Sequence, residues 1–168
     1  MRVTSRRAAG MGALLAILCV GVAVAAVHGT VHKAKGTAYL LRYACPPKGT
    51  CVAVGEAPHN AAAVVVPVVH GKPSGVSDVS NIFQIDGLAC PKAHFCLGVS
   101  FDYVKQEGAL VPITDGVPGS TMLVHGAGYL SSISCPTAST CWALGSDATG
   151  NGYPVAVKIK GSDRKSVV

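Results

Sequence analysis

The chain has 168 residues, which is the length of one folded domain. Apolar residues make up 49% of it and charged residues 13%, so it does not have the composition of a disordered polyelectrolyte. The formal net charge is +6, but Arg2, Arg6 and Arg7 contribute three of these charges ahead of the first acidic residue. The remaining excess is too small and too scattered for a nucleic-acid-binding surface, so we expect no nucleic-acid partner.

An uncharged apolar segment, residues 8–27, follows these arginines. As a helix, twenty residues are just long enough to cross a hydrocarbon layer of ~30 Å. Ala23-Val24-Ala25 also has the small-x-small pattern that a signal peptidase can cut. Residues 1–27 are therefore predicted to be a hydrophobic helix, either a signal peptide or a signal-anchor transmembrane helix. The arginines keep that end in the cytoplasm, so residues 28–168 are expected outside it, secreted or tethered to the membrane by an uncleaved 8–27.

Six cysteines occur at a regular interval in the exported part. Each pair encloses five residues, and each pair follows the previous one by 45 positions. The residues are Cys45, Cys51, Cys90, Cys96, Cys135 and Cys141. Spacing of this regularity predicts a β-repeat domain over 28–168, whose tandem units have cores at 36–80, 81–125 and 126–168.

Each unit has the pattern of antiparallel β-structure. After the second cysteine, bulky side chains alternate with small ones, as Trp142 and Leu144 do around Ala143. Four strands per unit are predicted, with the third at 62–70, 107–115 and 153–160 and the fourth at 76–80 and 121–125. Pro67 and Pro112 fall inside the third strand, where they predict a bulge or an edge. No helical periodicity follows residue 30, so the exported part is expected to be all-β.

The five residues between paired cysteines are turn formers, which predicts a hairpin with the two cysteines as cross-strand neighbours. Neighbours of this kind are close enough for a disulfide, and an exported protein meets an oxidising compartment. Structural zinc pairs usually enclose two to four residues and redox pairs two, so these chemistries fit less well. We therefore predict the disulfides Cys45–Cys51, Cys90–Cys96 and Cys135–Cys141, with no metal and no cofactor.

The pattern from Leu130 to Gly145, Leu-x-x-Ile-x-Cys-Pro…Cys-x-Ala-x-Gly, resembles repeats of exported actinobacterial proteins. It is also similar to blades of sialidase-type and photosystem II assembly-factor β-propellers, and this implies a four-stranded blade per unit. The Asp-Gly turn of such blades is matched at Thr114-Asp115-Gly116. The Ser-x-Asp-x-Gly-x-Thr-Trp box of sialidases is incomplete here. Their three active-site arginines also have too few counterparts, since the exported region has only Arg42 and Arg164.

Three blades do not close a propeller ring, because closed rings have four to eight. Residues 30–34 align by the 45-residue period with the fourth strand at 75–79, so they could complete the last unit. Two chains could then pair as a homodimer in a six-bladed ring. The alternatives are a β-trefoil with threefold pseudosymmetry and an open propeller fragment.

Few residues are candidates for chemistry. Glu56 and Glu107 are the carboxylates at roughly matching positions, and we expect them in solvated loops rather than as a glycosidase pair. His28 and His32 have the spacing of a metal site on a helix, but their neighbours favour a linker or a strand. The other histidines occupy non-equivalent repeat positions and predict no cluster. Trp142 aligns with core positions of the other units, which assigns it to the core.

These features favour a non-enzymatic, extracytoplasmic, disulfide-stapled binding module. Its ligand would be a protein or a glycan, bound by loops that vary between units, at 56–62, 101–108 and 146–153. One alternative is a degenerate glycan-processing propeller that retains weak hydrolase activity. Another is a truncated propeller relic.

Overall fold

The computed structural model of this chain describes residues 32–60, 62–149 and 154–160, the last range by its backbone alone. The predicted signal peptide or signal anchor, 1–27, and His28 lie outside these ranges. Within them, no helix is long and apolar enough to cross a membrane. Their regular structure is β-strand, together with a short 3-10 turn at Pro58–Asn60.

The strands form three antiparallel sheets, one for each cysteine pair. The first sheet contains β1 (Tyr39–Ala44), β2 (Cys51–Glu56), β3 (Ala63–Val69), β4 (Lys72–Pro73) and β5 (Ser77–Val79). The second contains β6 (Gly87–Lys92), β7 (Phe95–Asp102), β8 (Glu107–Thr114), β9 (Val117–Pro118) and β10 (Met122–Val124). The third contains β11 (Ala127–Thr137), β12 (Thr140–Asp147) and β13 (Pro154–Lys160). Because β4 and β5 recur 45 residues later as β9 and β10, the all-β class and the repeats are confirmed.

The disulfides join the cysteines predicted from their spacing. Sulfur–sulfur bonds link Cys45 to Cys51, Cys90 to Cys96 and Cys135 to Cys141. In each repeat the bond closes the hairpin between the first and second strands. Three intramolecular disulfides are consistent with an oxidising, extracytoplasmic location.

The third strand continues through its proline. Pro67 pairs with Val52 in an unbroken register, and in the second sheet Pro112 pairs with Leu97 in the same way. The interruption lies on the outer side of the strand, where β5 pairs with β3 up to Val65 and β4 pairs with it from Val68 onward. A proline has no N–H to donate, and it occupies the gap between these short pairings. The predicted bulge or edge is therefore found only on the outer side.

A bulge recurs at one position near the start of the first and third repeats. The pairing of β1 with β2 shifts at Leu41, and that of β11 with β12 shifts at Ser131. The equivalent residue of the second repeat is Asp86, whose N–H donates to the main-chain oxygen of Val99 over 2.9 Å. A bulge bends the strand and re-aims its side chains. The first strands therefore depart from the simple alternation that the sequence predicts.

The core lies between successive sheets. We call the face of a sheet toward the following repeat its back face, and the face toward the preceding repeat its front face. On the back face of the first sheet, Val52 joins a buried cluster that includes Cys96 on the front face of the second. Leu97, which is 45 residues after Val52, joins a second cluster that includes Cys141 on the front face of the third. The alternation after the second cysteine thus builds both clusters.

The back face of the third sheet has no further sheet packed on it among the described residues. Trp142 and Leu144 lie there at the positions equivalent to Leu97 and Val99, and they are 41% and 54% exposed. The assignment of Trp142 to the core is wrong. Its strand alternates as predicted, but the surface that would cover this face is missing from the described part of the chain.

The segment predicted to complete the last repeat has a different environment. Its described residues, 32–34, form no strand. Ala34 packs against the front face of the first sheet, with Val64 and Val66. Its equivalent 45 residues later, Val79, packs between the first and second sheets. Ala34 therefore packs on the first sheet where Val79, from the fourth strand of the first repeat, packs on the second sheet.

Candidate binding cleft

A cleft of about 660 Å³ opens where the first and second repeats meet. Residues 78–81 at the end of the first repeat form one wall, and residues 118–121 contribute another. Asp102 at the end of β7, Lys105 in the turn that follows and Leu123 of β10 complete the lining. The cleft thus includes part of the predicted variable loop 101–108. Only residues 103–106 of that range form a turn, because β7 extends to Asp102 and β8 begins at Glu107.

Asp102 fixes the shape of this turn. Its side chain is buried, and Oδ1 accepts hydrogen bonds from the N–H groups of Val104 and Lys105, both at 2.9 Å. The N–H of Tyr103 donates to the main-chain oxygen of Asn81 over 3.2 Å, which ties the turn to the first repeat. An aspartate that satisfies N–H groups two and three residues ahead is a common turn-forming device. The wall of the cleft is therefore held by hydrogen bonds from both repeats.

An aromatic pair lies beside these residues. The rings of Phe83 and Tyr103 stack with 4.2 Å between centroids and 21° between planes. Phe83 is 47% exposed, and Val104 next to the pair is 56% exposed. Neither ring lines the cleft, but both belong to the segments that carry its lining residues Asn81 and Lys105. Exposed aromatic surface close to hydrogen-bonding groups is a combination found at binding sites.

The polar groups of the cleft offer both donors and acceptors. Asp78 supplies a carboxylate, Asn81 an amide and Lys105 an ammonium group, and Ser120 and Thr121 supply hydroxyls. A ligand with many hydroxyl groups matches this mixture, since each hydroxyl donates and accepts. Such a ligand would need no metal, and the described residues contain no group of three side chains that could hold one.

A second polar cluster lies where the first strands of all three repeats approach one another. The Nε2 of Gln84 donates to Oδ1 of Asp86 over 2.6 Å and lies 3.5 Å from the hydroxyl of Tyr129. Oδ2 of Asp86 is buried and has no hydrogen-bond partner. Arg42 of the first repeat adds a positive charge that acts on both Asp86 and Tyr129.

Burial raises the pKa of the Asp86 carboxyl above its ordinary value of 3.8. Hydrogen bonding with Tyr129 and Gln84, and the charge of Arg42, oppose this rise in part. Burial likewise raises the pKa of Tyr129 above 10.0, and its hydrogen bond with Asp86 adds to the effect. The cluster therefore favours the protonated form of both groups.

The two carboxylates noted in the sequence are not solvated loop acids, and that expectation is wrong. Glu56 ends β2, is 4% exposed and accepts a hydrogen bond from the hydroxyl of Tyr39, whose pKa is raised chiefly by that bond. Glu107 begins β8 and lies 3.0 Å from Nδ1 of His125. Each carboxylate has its own partner, and the two carboxylates lie on different sheets. They are not equivalent positions of the repeat, since Glu56 and Glu107 are 51 rather than 45 residues apart.

The described histidines are dispersed, as their repeat positions predict. Nδ1 of His94 lies 2.7 Å from a carboxylate oxygen of Asp115, at the turns near the second disulfide. His125 contacts Glu107, as above, whereas His59 and His70 occupy turn positions with positive φ. His32 is exposed, and the other member of its predicted pair, His28, lies outside the described residues.

Sequence reasoning identified the loop that holds Lys105 but not the aromatic pair or Asp86. The repeat itself carried a usable signal. Phe83 has Ala38 and Gly128 at its equivalent positions, and Asp86 has Leu41 and Ser131. Positions at which one repeat carries an aromatic or charged residue and the others do not are the signal by which the sequence could have identified Phe83 and Asp86.

Comparisons of this chain with profiles of protein families, with curated proteins and with solved structures find no match.

Proposed function

We propose that this chain is a non-enzymatic, extracytoplasmic binding module, built of propeller-type blades, that binds a glycan in the cleft between its first two repeats. The observation that carries the proposal is the polar cleft, together with the stacked rings of Phe83 and Tyr103, which lie two residues along the chain from its lining residues Asn81 and Lys105. The export segment predicted at residues 1–27 and the three disulfides support the location.

The blade arrangement is supported by how the sheets pair and stack. In a trefoil, strands of different units pair with one another to close a common barrel. Here the hydrogen-bonded pairs of each described sheet come from within one repeat, and the sheets stack face to face. The first strands of neighbouring repeats, β1 with β6 and β6 with β11, contact one another, as the innermost strands of blades do.

A glycan is favoured over a protein ligand by the character of the cleft. A sugar ring presents an apolar face that can pack on the rings of Phe83 and Tyr103. Its hydroxyl groups can use the side chains of Asp78, Asn81 and Lys105, which line the cleft. The volume of about 660 Å³ is in the range of small-molecule sites.

Glycan hydrolysis is the competing function, and Asp86 is the observation that favours it. A carboxyl with a raised pKa near a tyrosine is a combination that active sites use. Against it, glycosidases need two carboxylates that flank one bond, and Glu56 and Glu107 are engaged separately by Tyr39 and His125. Turnover of fluorogenic glycosides that Asp86→Asn, Glu56→Gln or Glu107→Gln abolishes would replace binding with catalysis as the function.

The binding proposal is tested with the full oxidised chain purified in detergent. A glycan array selects a ligand, and titration calorimetry then compares the wild type with Phe83→Ala and Lys105→Ala. We expect each variant to lose affinity about tenfold or more, because each removes a central contact. Lys48→Ala, an exposed lysine in the first disulfide turn, is the matched control and should bind normally.

Two results would overturn the proposal. One is an array on which the wild type binds no glycan above the detergent background. The other is glycan binding that Phe83→Ala and Lys105→Ala leave intact, which would place the site elsewhere. Circular dichroism of both variants checks that their β-structure is unchanged.

A further inference from the structure

The three disulfides differ in how far the fold covers them. In the second and third repeats, the later cysteine of the pair is buried in the cluster between two sheets, and the earlier one is half-buried against that cluster. In the first repeat, Cys45 is exposed and Cys51 is half-buried. A reagent in solution therefore meets much less protein at the first disulfide than at the other two.

The side chain next to the first disulfide also differs from its equivalents. Tyr43 is 60% exposed, and its hydroxyl lies 3.1 Å from Sγ of Cys45. A disulfide sulfur carries no hydrogen, so the hydroxyl is the donor of this hydrogen bond. The equivalent residues, Leu88 and Ile133, are apolar and pack against the clusters between sheets. The first disulfide thus has a hydrogen-bond donor at a position where the other repeats have only an apolar side chain.

A cavity of about 330 Å³ borders the second cysteine of this pair. Its lining includes Cys51, Thr50 of the disulfide turn and the imidazole of His70. A thiolate formed at Cys51 would therefore face a space that water can enter. At Cys96 and Cys141 a thiolate would form inside an apolar cluster, where an unpaired charge is costly. Cleavage of the first disulfide thus has the lowest cost of charge burial.

We propose that the Cys45–Cys51 disulfide is a site of thiol–disulfide exchange with a dithiol outside the cytoplasm, whereas the other two disulfides are structural. A thiolate of the dithiol attacks Sγ of Cys45, the sulfur–sulfur bond breaks, and its electron pair leaves with Cys51 as a thiolate. The second thiolate of the dithiol then attacks its own sulfur partner in the mixed disulfide and releases Cys45, whose negative charge the hydroxyl of Tyr43 stabilises. Two electrons and two protons pass to the chain, and the dithiol becomes a disulfide.

The first disulfide differs from the others in the rate of this exchange. All three bonds close loops of the same length, so loop closure favours each of them to a similar extent. Access to the attacked sulfur and the stability of the thiolate that leaves determine how fast each bond reacts. The inference is independent of the glycan site, because the residues that line the cleft begin at Asp78.

Timed reduction of the folded, oxidised full chain in detergent tests the proposal. Cys19, which is outside the three pairs, is first blocked with N-ethylmaleimide. The chain is then exposed to dithiothreitol, a small dithiol, or to reduced thioredoxin, a protein dithiol. Alkylation stops the reaction at intervals, and mass spectrometry measures the reduced fraction of each pair. We expect Cys45 and Cys51 to become reduced at least about tenfold faster than the other four cysteines.

Replacement of Tyr43 separates the role of its hydroxyl from that of exposure alone. Tyr43→Phe should leave the attack on Cys45 nearly unchanged and slow the release of Cys45 about tenfold, because the released thiolate loses its hydrogen bond. The mixed disulfide with thioredoxin, trapped by acid, should therefore accumulate. Tyr103→Phe is the matched control, since Tyr103 follows the end of β7 whereas Cys96 lies near its start.

Equal rates for the three disulfides, or reduction that occurs only when guanidinium unfolds the chain, would overturn the inference. Selective reduction by thioredoxin would support a protein dithiol as the partner, and selective reduction by dithiothreitol alone a small one. Equal behaviour of Tyr43→Phe and Tyr103→Phe would overturn the role of the Tyr43 hydroxyl. Glycan titration of the selectively reduced chain keeps the two proposals apart, since its affinity should equal that of the oxidised chain.

Discussion

Gly145 lies directly against the main-chain oxygen of Tyr129, so that a β-carbon at residue 145 would be 1.9 Å from that atom. Gly55 has the same relationship with Tyr39, at 2.0 Å. Both glycines face the strand next to its bulge, where the backbone of the first strand bends toward them. The glycine of the Cys-x-Ala-x-Gly pattern is thus required by a close approach of two main chains.

We expect Gly55→Ala and Gly145→Ala each to lower the free energy of unfolding by about 1–3 kcal/mol or more, because the clash is with backbone that has to move. Guanidinium unfolding followed by circular dichroism measures this loss. Ser100 holds the same position in the second repeat and donates to the main-chain oxygen of Gln84. Ser100→Ala removes only that hydrogen bond and should cost less than either glycine variant. Equal losses in all three would contradict the steric explanation.

The disulfides should stabilise the three repeats to a similar extent. Each closes a loop of seven residues, and loop-closure entropy values such a bond at about 2 kcal/mol. Replacing Cys90 and Cys96 together by serine should lower the free energy of unfolding by that amount. The double replacement of Cys45 and Cys51 is the comparison. Mass spectrometry after proteolysis under non-reducing conditions checks the pairing, and a peptide linking cysteines of different repeats would contradict the fold.

Asp86 should make stability depend on pH. Burial raises its pKa in the folded state above the value of 3.8 expected when unfolded. The folded chain therefore binds the proton of this carboxyl more tightly than the unfolded chain does. The contribution of Asp86 to stability is largest below pH 3.8 and is lost as the pH rises through the pKa of the folded state. Asp86→Asn cannot ionise, so it should raise the melting temperature relative to the wild type at pH 7 but not at pH 3.

The control for this prediction is Asp78→Asn, which removes one negative charge at an exposed position. A gain that is the same at both pH values, or the same in both variants, would show that ionisation of Asp86 is not the cause. Thermal melts by circular dichroism at the two pH values are sufficient for the comparison.

The repeated framework could be predicted from sequence because its cysteine pairs and alternating residues occur three times at the same interval. The cysteine spacing gave the hairpins, and the alternation around Val52 and Leu97 gave the faces that pack between sheets. Local pattern cannot report what covers a face, however. Trp142 has the pattern of a core residue, and its exposure depends on whether another sheet is packed against it.

The candidate cleft was harder to predict for a related reason. Its walls combine residues distant in sequence, such as Asp78 and Thr121, whose proximity follows from the stacking of two sheets. The bulges in the first strands also depend on strand pairing rather than on residue type, because they occur at residues as different as Leu41 and Ser131. The signal available in the sequence was the departure of the second repeat from the other two.

Equivalent positions of the second and third repeats should respond differently to truncation. Val99 is fully buried between two sheets, whereas Leu144, its equivalent, is 54% exposed. We expect Val99→Ala to lower the free energy of unfolding by about 1–3 kcal/mol, because it leaves a cavity that packed neighbours fill only in part. Leu144→Ala should change it by less than about 0.5 kcal/mol. Guanidinium unfolding followed by circular dichroism makes the comparison. A large loss for Leu144→Ala under those conditions would mean that the same chain already covers the back face of its third sheet.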